Sequence, residues 1–213
     1  MNKKIGITLD FVIRDYINRL KEVYVKKYDL DPLGIISLDE LYKAFPLPKV
    51  QNIEADVIGE DGLYEAIQVV DDGEEKFETD EEAFDQFLNT DYTIEIYGHC
   101  KESVNNAMFH VNSLAKQLKV LGHDLILISE DTGKARPSTL FFLSKTSCEL
   151  NTIMFLKPED EYLNYFDIMI TANEKFAKGL EKNIKIHTEF NEDFLCEESY
   201  TSVKDINLTN ILK

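Results

Sequence analysis

The chain has 213 residues, of which 44% are hydrophobic, and this is enough for one domain with a buried core. Its 40 acidic residues outnumber 23 basic ones, and the formal charge of −17 argues against broad binding to nucleic acid or anionic lipid, both of which need a positive surface. The first residues do not form a secretory leader, and no run of about 18 apolar residues could span a bilayer. We therefore expect a protein that is neither secreted nor embedded in a membrane.

The first elements follow from apolar periodicity. A short strand begins at Ile5 and runs into a helix predicted over Phe11–Tyr28, where apolar residues recur at intervals of three and four. Residues 29–91 are less regular, because prolines interrupt them. Within them we predict a short helix opened by Ser37–Glu40, strands around Val57 and over residues 67–70, and a helix that carries Phe84, Phe87 and Leu88.

The segment 71–82 is rich in acidic residues and contains a single lysine. Like charges repel each other and stay in water, so we interpret it as solvated surface. A docking surface for a basic partner is the alternative.

From Tyr92 onward the pattern becomes regular. We predict a strand over Tyr92–Tyr97, a helix over Val104–Leu121 that ends at Gly122, and a buried strand over Leu125–Ile128 that ends at Ser129. A helix from Pro137 to Leu143 follows, then strands over 152–156, 166–170 and 184–187. This alternation predicts an α/β fold with a doubly wound parallel sheet. The polar tail from Asp193 is expected to be surface or a short terminal helix.

Three cysteines, Cys100, Cys148 and Cys196, are widely spaced and lack the rhythm of metal ligands. An odd number in this arrangement favours buried, reduced thiols over disulfides or zinc.

The residues Ile5–Asp15 resemble the first motif of the haloacid dehalogenase (HAD) superfamily, a strand that ends in Asp-x-Asp followed by Thr or Val. Aligned on Gly6 and Val12, the nucleophilic aspartate of the family falls at Thr8 and its general acid and base at Asp10. The resemblance implies a three-layer Rossmann-type core over residues 1–28 and 92–213, with a small acidic cap-like insertion over 29–91.

The remaining HAD motifs are matched in part. Ser129 resembles the Ser or Thr that holds a phosphate oxygen, and Lys134 and Arg136 are two candidates for the basic residue of the third motif. Thr171 and Ala172 stand where the family places the carboxylates that hold Mg²⁺. The resemblance thus implies a vestigial pocket without catalytic residues, metal or cofactor, formed by Thr8, Asp10, Ser129, Lys134, Arg136, Thr171 and Asn173.

Simpler roles remain open for several of these residues. Asp10 could cap the following helix, Ser129 could be a turn residue, and Lys134 and Arg136 could be ordinary surface charges. Asp167 is interpreted as a strand-entry residue. We also predict that His110 is a partly buried packing residue and that the pair Phe141–Phe142 lies in the core.

Within the superfamily the chain looks closest to the 5′(3′)-deoxyribonucleotidase-like branch, whose small cap follows the first motif. The strings Glu95–His99, Gly122–Asp124 and Thr139–Lys145 are also similar to degenerate HAD-like proteins of tailed bacteriophages. That resemblance implies a non-catalytic structural or assembly protein of a phage neck or tail, in the virion or the host cytoplasm. Its partners would be portal or tail proteins, or copies of itself in a ring.

Two alternatives stay open. One is a Mg²⁺-dependent nucleotide phosphatase with a rearranged site that recruits Asp15 or Glu130. The other is a phosphate or nucleotide sensor that uses Ser129, Lys134 or Arg136. Dinucleotide binding is disfavoured, because no G-x-G-x-x-G follows the first strand.

Overall fold

Six parallel strands form the central sheet in a computed structural model of the chain, which describes residues 2–34, 38–47, 77–130, 133–180 and 182–212. The strands are β1 (Lys4–Thr8), β2 (Asp124–Ser129), β3 (Ile153–Phe155), β4 (Ile168–Thr171), β5 (Lys182–Ile186) and β6 (Glu198–Tyr200). Their order in the sheet is β3-β2-β1-β4-β5-β6. The predicted α/β class and parallel sheet are confirmed.

The first strand lies at the centre of the sheet. It pairs with β2 from Lys4–Asp124 to Thr8–Ile128, and on its other side with β4. From β1 the chain passes to β2 and β3 on one side and then returns to β4 on the other side of β1. The carboxyl ends of β1 and β4 therefore form a switch point, where ligands bind in sheets of this kind. The register therefore brings Thr8, Ser129 and Thr171 to the same end of the sheet.

Alternation along the strands divides the core between the two faces of the sheet. Ile5, Ile7, Leu125 and Leu127 face a large cluster that also contains buried residues of the helices. The strand residues at the intervening positions, Ile126, Ile128 and Met169, belong to a smaller cluster. Its other members lie outside the strands: Leu156, Leu163, Phe166 and Phe176. The three layers are thus unequal, since one-turn 3₁₀ helices over Glu161–Tyr165 and Glu174–Ala177 supply the covering residues of the smaller cluster.

The α-helices are α1 (Tyr16–Tyr28), α2 (Leu41–Ala44), α3 (Asp80–Gln86), α4 (Ala107–Val120), α5 (Arg136–Lys145) and α6 (Leu208–Leu212). The first helix begins five residues later than predicted, because Phe11 adopts a left-handed φ of 66°. The backbone turns there, and the N–H groups of Ile13 and Arg14 both donate to the carbonyl of Leu9. Asp15, not Asp10, occupies the N-cap position of α1. The predicted capping role of Asp10 is therefore wrong.

The strand predicted over Tyr92–Tyr97 is also wrong. Two π-helical turns, Phe87–Asp91 and Ile94–Gly98, occupy this region, and the second packs against α1 and α5. Ile96, Tyr97 and Gly98 are buried in succession, which a strand with one covered face would not produce. Gly98 permits this packing, since a Cβ there would lie 2.6 Å from Cδ1 of Ile94.

Other side chains depart from expectation in smaller ways. Phe142 is buried as predicted, whereas Phe141 is 42% exposed. The polar tail carries the unpredicted strand β6 as well as α6. Asp167 does stand at the entry of β4, where its carboxylate accepts from the N–H of Lys4 at 2.7 Å. His110 is half-buried beside Phe109.

All three cysteines are free thiols, and Cys100 is fully buried while Cys148 and Cys196 are half-buried. Burial raises the pKa of the Cys100 thiol to about 12.

Within the insertion, the helix predicted around Phe84 is confirmed as α3, and the Thr79 hydroxyl at its start accepts from the N–H of Glu82. Ser37, the strands predicted around Val57 and over 67–70, and residues 71–76 lie outside the described residues. None of the helices in the described part of the chain is long and apolar enough to cross a bilayer.

We predict that Asn191→Ala lowers the free energy of unfolding by about 2–3 kcal/mol. The buried Asn191 side chain donates to the carbonyls of Ala172 and Ile186 at 2.7 and 2.8 Å and accepts from the N–H of Thr188, so it joins the carboxyl ends of β4 and β5. Urea titration would measure the loss. Asn18→Ala, at an exposed position on α1, is the control and should change stability by less than about 0.5 kcal/mol.

Candidate functional site

A small cavity of about 190 Å³ opens at the carboxyl end of β1. We call it the carboxyl-end cavity and define it by Asp10, Arg14, Tyr97, Glu130 and Asn173, which all line it. Residues of the insertion, Leu38, Leu88 and Asn89, also line it, as do Phe11, Tyr16, Ala135, Thr139 and Lys175. The insertion predicted to be cap-like therefore does contribute to the wall of this cavity.

The strongest interaction in the cavity joins Asp10 to Arg14. Nε and Nη2 of Arg14 both lie 2.7 Å from Oδ1 of Asp10, and Nη1 donates to the Thr139 hydroxyl at 2.9 Å. The Arg14 guanidinium also lies 4.8 Å from the ring centre of Tyr97. Arg14 is only 1% exposed, so the Asp10 carboxylate supplies the counter-charge that a buried cation requires.

Two threonines meet where β1 and β4 end. The Thr8 hydroxyl donates to the Thr171 hydroxyl at 3.2 Å, and the Thr171 hydroxyl in turn donates to the carbonyl of Asn173 at 3.3 Å. Both threonines are buried, with 5% or less of their surface exposed. This chain of hydroxyl donors therefore ends on a backbone carbonyl.

Other predicted pocket residues lie outside the cavity. Ser129 ends β2 fully buried, and its Oγ finds no hydrogen-bond partner within the described ranges. Lys134 is exposed and lines a neighbouring groove beside Tyr42 and Phe84. Arg136 is exposed, with its guanidinium 5.0 Å from the ring of Phe155 at the edge of the sheet. The structure thus brings Asp10 and Asn173 to one cavity and Thr8 and Thr171 into contact with each other, whereas neither Lys134 nor Arg136 lines this cavity. The groove of Lys134 adjoins the cavity, since both are lined by Leu38, Leu88, Asn89 and Glu130.

The two acidic residues considered for a rearranged phosphatase site lie in different parts of the structure. Glu130 lines the cavity, whereas Asp15 lines a separate groove and accepts from the Asn18 amide at 2.6 Å. Over the described ranges, no group of three or more His, Cys, Asp or Glu side chains is placed to hold a metal ion.

Tyr16 and Tyr97 line the cavity as neutral phenols. Burial raises the pKa of both hydroxyls, and the negative charges of Asp10 and Glu130 raise them further. They therefore remain protonated at neutral pH and offer hydrogen-bond donors rather than bases.

Sequence reasoning missed the residues that neutralise and enclose Asp10. Arg14 follows Asp10 at a spacing of four, and this opposite-charge pair was the one available local signal. Thr139 and Tyr97 reach the site from α5 and from a π-helical turn, and no local pattern indicates such long-range contacts.

No protein family matches the chain, and no curated protein sequence matches it. Solved structures with the same fold do exist. The putative HAD-hydrolase YfnB from Bacillus subtilis, solved bound to magnesium, aligns with a TM-score of 0.54 at 16% identity and covers 99% of this chain and 98% of its own. A putative β-phosphoglucomutase from Thermotoga maritima aligns with a TM-score of 0.50 at 14% identity, over 99% and 98% of the two chains.

A third structure is a HAD-like family protein, SP0104 from Streptococcus pneumoniae, with a TM-score of 0.50 at 10% identity over 95% of each chain. Identities this low establish the fold alone. The expected HAD-like fold is confirmed by these structures.

We predict that Arg14→Met lowers the free energy of unfolding by about 3–5 kcal/mol, because it leaves the Asp10 carboxylate partly buried without a counter-charge. Arg19→Met is the matched control, since Arg19 is partly exposed in its ion pair with Glu22, and should cost about 1 kcal/mol or less. Chemical denaturation would measure both. Adding Asp10→Leu to Arg14→Met should recover much of the loss, and equal losses in the two single variants would contradict the buried pair.

Proposed function

We propose that this chain is a non-catalytic HAD-like protein that acts as a structural or assembly component. The observation that carries the proposal is the hydrogen bond between the Thr8 and Thr171 hydroxyls, at the positions where the resemblance places a nucleophilic carboxylate and a metal-binding carboxylate.

The proposal is supported by the state of Asp10, the remaining carboxylate of the first motif. Activation of a threonine requires a neighbouring base, but Asp10 is engaged by Arg14 and the Thr8 proton is directed at Thr171. Phosphoryl transfer depends on positioned charge, so a site whose first motif supplies neither nucleophile nor base has little left to contribute.

The side chains at the expected metal-binding positions are also unsuited to holding Mg²⁺. This ion prefers carboxylates and water in octahedral geometry. The Bacillus subtilis neighbour was solved with magnesium, whereas this chain places a hydroxyl and a methyl group, Thr171 and Ala172, where the resemblance expects acids. Arg14 supplies a permanent positive charge beside Asp10. We infer that the pair holds the loop after β1 in place.

The proposed role in assembly is supported by apolar residues on the exposed face of α5. Leu140 and Phe141 are 51% and 42% exposed next to each other, within the string Thr139–Lys145 that resembles degenerate phage proteins. Exposed apolar pairs of this kind favour protein contacts. On this basis we propose a neck or tail component of a tailed phage, derived from the 5′(3′)-deoxyribonucleotidase-like branch, whose partners are portal or tail proteins or further copies of the chain.

The ligand-based alternatives have weaker support. A phosphate sensor needs convergent cations, but neither Lys134 nor Arg136 lines the carboxyl-end cavity. The described cations that do line it are Arg14, which is paired with Asp10, and Lys175, which is the cation that this alternative would use. A rearranged phosphatase retains Glu130 as an acid within the cavity, without Asp15 beside it.

The chain should not hydrolyse p-nitrophenyl phosphate or nucleoside monophosphates above the buffer rate in the presence of Mg²⁺. Phosphate release by the wild type and by Asp10→Asn would be compared, and both should match the blank. Mg²⁺-dependent turnover in the wild type that Asp10→Asn abolishes would overturn the non-catalytic proposal.

We expect the chain to be detected by mass spectrometry in purified particles of its source, and to co-purify with a portal or tail protein. The double change Leu140→Asp and Phe141→Asp should abolish co-purification, because it places two charges on the proposed contact. Leu195→Asp is the control, since Leu195 is 91% exposed in a different loop and should leave co-purification intact. Absence of the chain from the particles would contradict the assembly role.

A further inference from the structure

A second and larger cavity, of about 700 Å³, lies at the opposite end of the sheet, where β2 and β3 begin. We call it the amino-end cavity. Its walls are the second half of α4, the first residues of β2, the segment 149–154 and the 3₁₀ helix Glu161–Tyr165. It shares no lining residue with the carboxyl-end cavity, so its use is independent of the site described above.

The amino-end cavity results from a short connection between two strands. Only residues 156–167 join β3 to β4, and they form a single 3₁₀ turn in place of a full crossover helix. Parallel strands are normally covered on both faces by crossover helices. The missing turns leave Ile126 and Met154 lining a hollow on this face of the sheet.

The floor of the cavity is apolar and one wall is aromatic. The apolar floor comes from both sides of the sheet at this end, because Leu125 and Leu150 belong to the larger core cluster and Ile126 and Met154 to the smaller one. Tyr162 stands at the side with 66% of its surface exposed, which leaves its ring available for stacking. A volume of this size lies within the range of small-molecule pockets, which combine an apolar lining with a few polar groups.

The charged lining groups leave one cation unpaired. Lys116 pairs with Glu149 at 2.5 Å, and the Asp124 carboxylate accepts from the Asn2 amide at 3.5 Å. The exposed Lys119 side chain, in contrast, forms no hydrogen bond or ion pair with any residue that the structure describes. It therefore offers a positive charge to a ligand in a protein whose net charge is −17.

His123 lies four residues after Lys119 and supplies a second donor. Its Nδ1 accepts from the N–H of Lys3 at 3.0 Å. In the neutral imidazole the proton is then on Nε2, which can donate to a ligand. An ammonium and an imidazole N–H beside an apolar floor match an acidic group attached to an aromatic ring.

We propose that the amino-end cavity binds a small aromatic anion, with the ring against Tyr162 and the apolar floor and the acidic group beside Lys119 and His123.

The test uses 8-anilinonaphthalene-1-sulfonate, an aromatic anion whose fluorescence rises when it enters an apolar site. The full chain should bind it with saturation at one site. Lys119→Gln should weaken binding about tenfold, since it removes a charge-assisted contact. Ala115→Trp, which fills the cavity from α4, should abolish binding, and a thermal unfolding curve would verify that this variant folds. Lys178→Gln, at an exposed position elsewhere, is the matched control and should bind as the wild type does.

Two results would overturn the proposal. One is an affinity that neither Lys119→Gln nor Ala115→Trp changes, because the probe would then bind elsewhere. The other is equal affinity for the uncharged N-phenyl-1-naphthylamine, because the cation would then have no part in recognition. Phosphatase activity does not enter any of these measurements, so they stand apart from the test of the proposed function.

Discussion

The structure depends on how the buried guanidinium of Arg14 is neutralised. A charge that is 1% exposed is costly to bury unless it is paired and hydrogen-bonded. Asp10 provides the counter-charge, Thr139 takes a further N–H and Tyr97 presents its ring. These partners come from the loop after β1, from α5 and from a π-helical turn. One buried charge therefore fixes how three separate parts of the chain meet at the carboxyl end of the sheet.

The same interaction distinguishes the end of β1 from the HAD motif that it resembles. In the resembling family the residue at the position of Asp10 transfers a proton, whereas here the Asp10 carboxylate is paired with Arg14. The Thr8 and Thr171 hydroxyls are hydrogen-bonded to each other. A sheet of this kind gives no function by itself, because activity resides in the side chains at the strand ends. Those side chains are here engaged with one another.

Sequence patterns predicted the parts of the fold that local periodicity controls. The continuous apolar run Leu125–Ile128 favoured a covered strand, and the three-and-four spacing within Ala107–Val120 indicated a helix. The strand predicted over Tyr92–Tyr97 was wrong because this segment packs against the helices α1 and α5 and buries three successive residues, which a strand pattern does not describe. At the site, Asp10 and Asn173 were found through strand ends. The contact of Arg14 with Thr139 spans 125 residues and no local pattern reports it.

The central place of β1 also governs how the protein is made. Its neighbours β2 and β4 begin at Asp124 and Ile168, so the first strand emerges from the ribosome long before either partner exists. At about 5–20 residues per second, the wait for β2 lasts on the order of 6–24 seconds. During that time Ile5 and Ile7, fully buried later, have no sheet to join. Pairings of such large sequence separation carry a high loop-closure entropy, which slows the formation of a sheet.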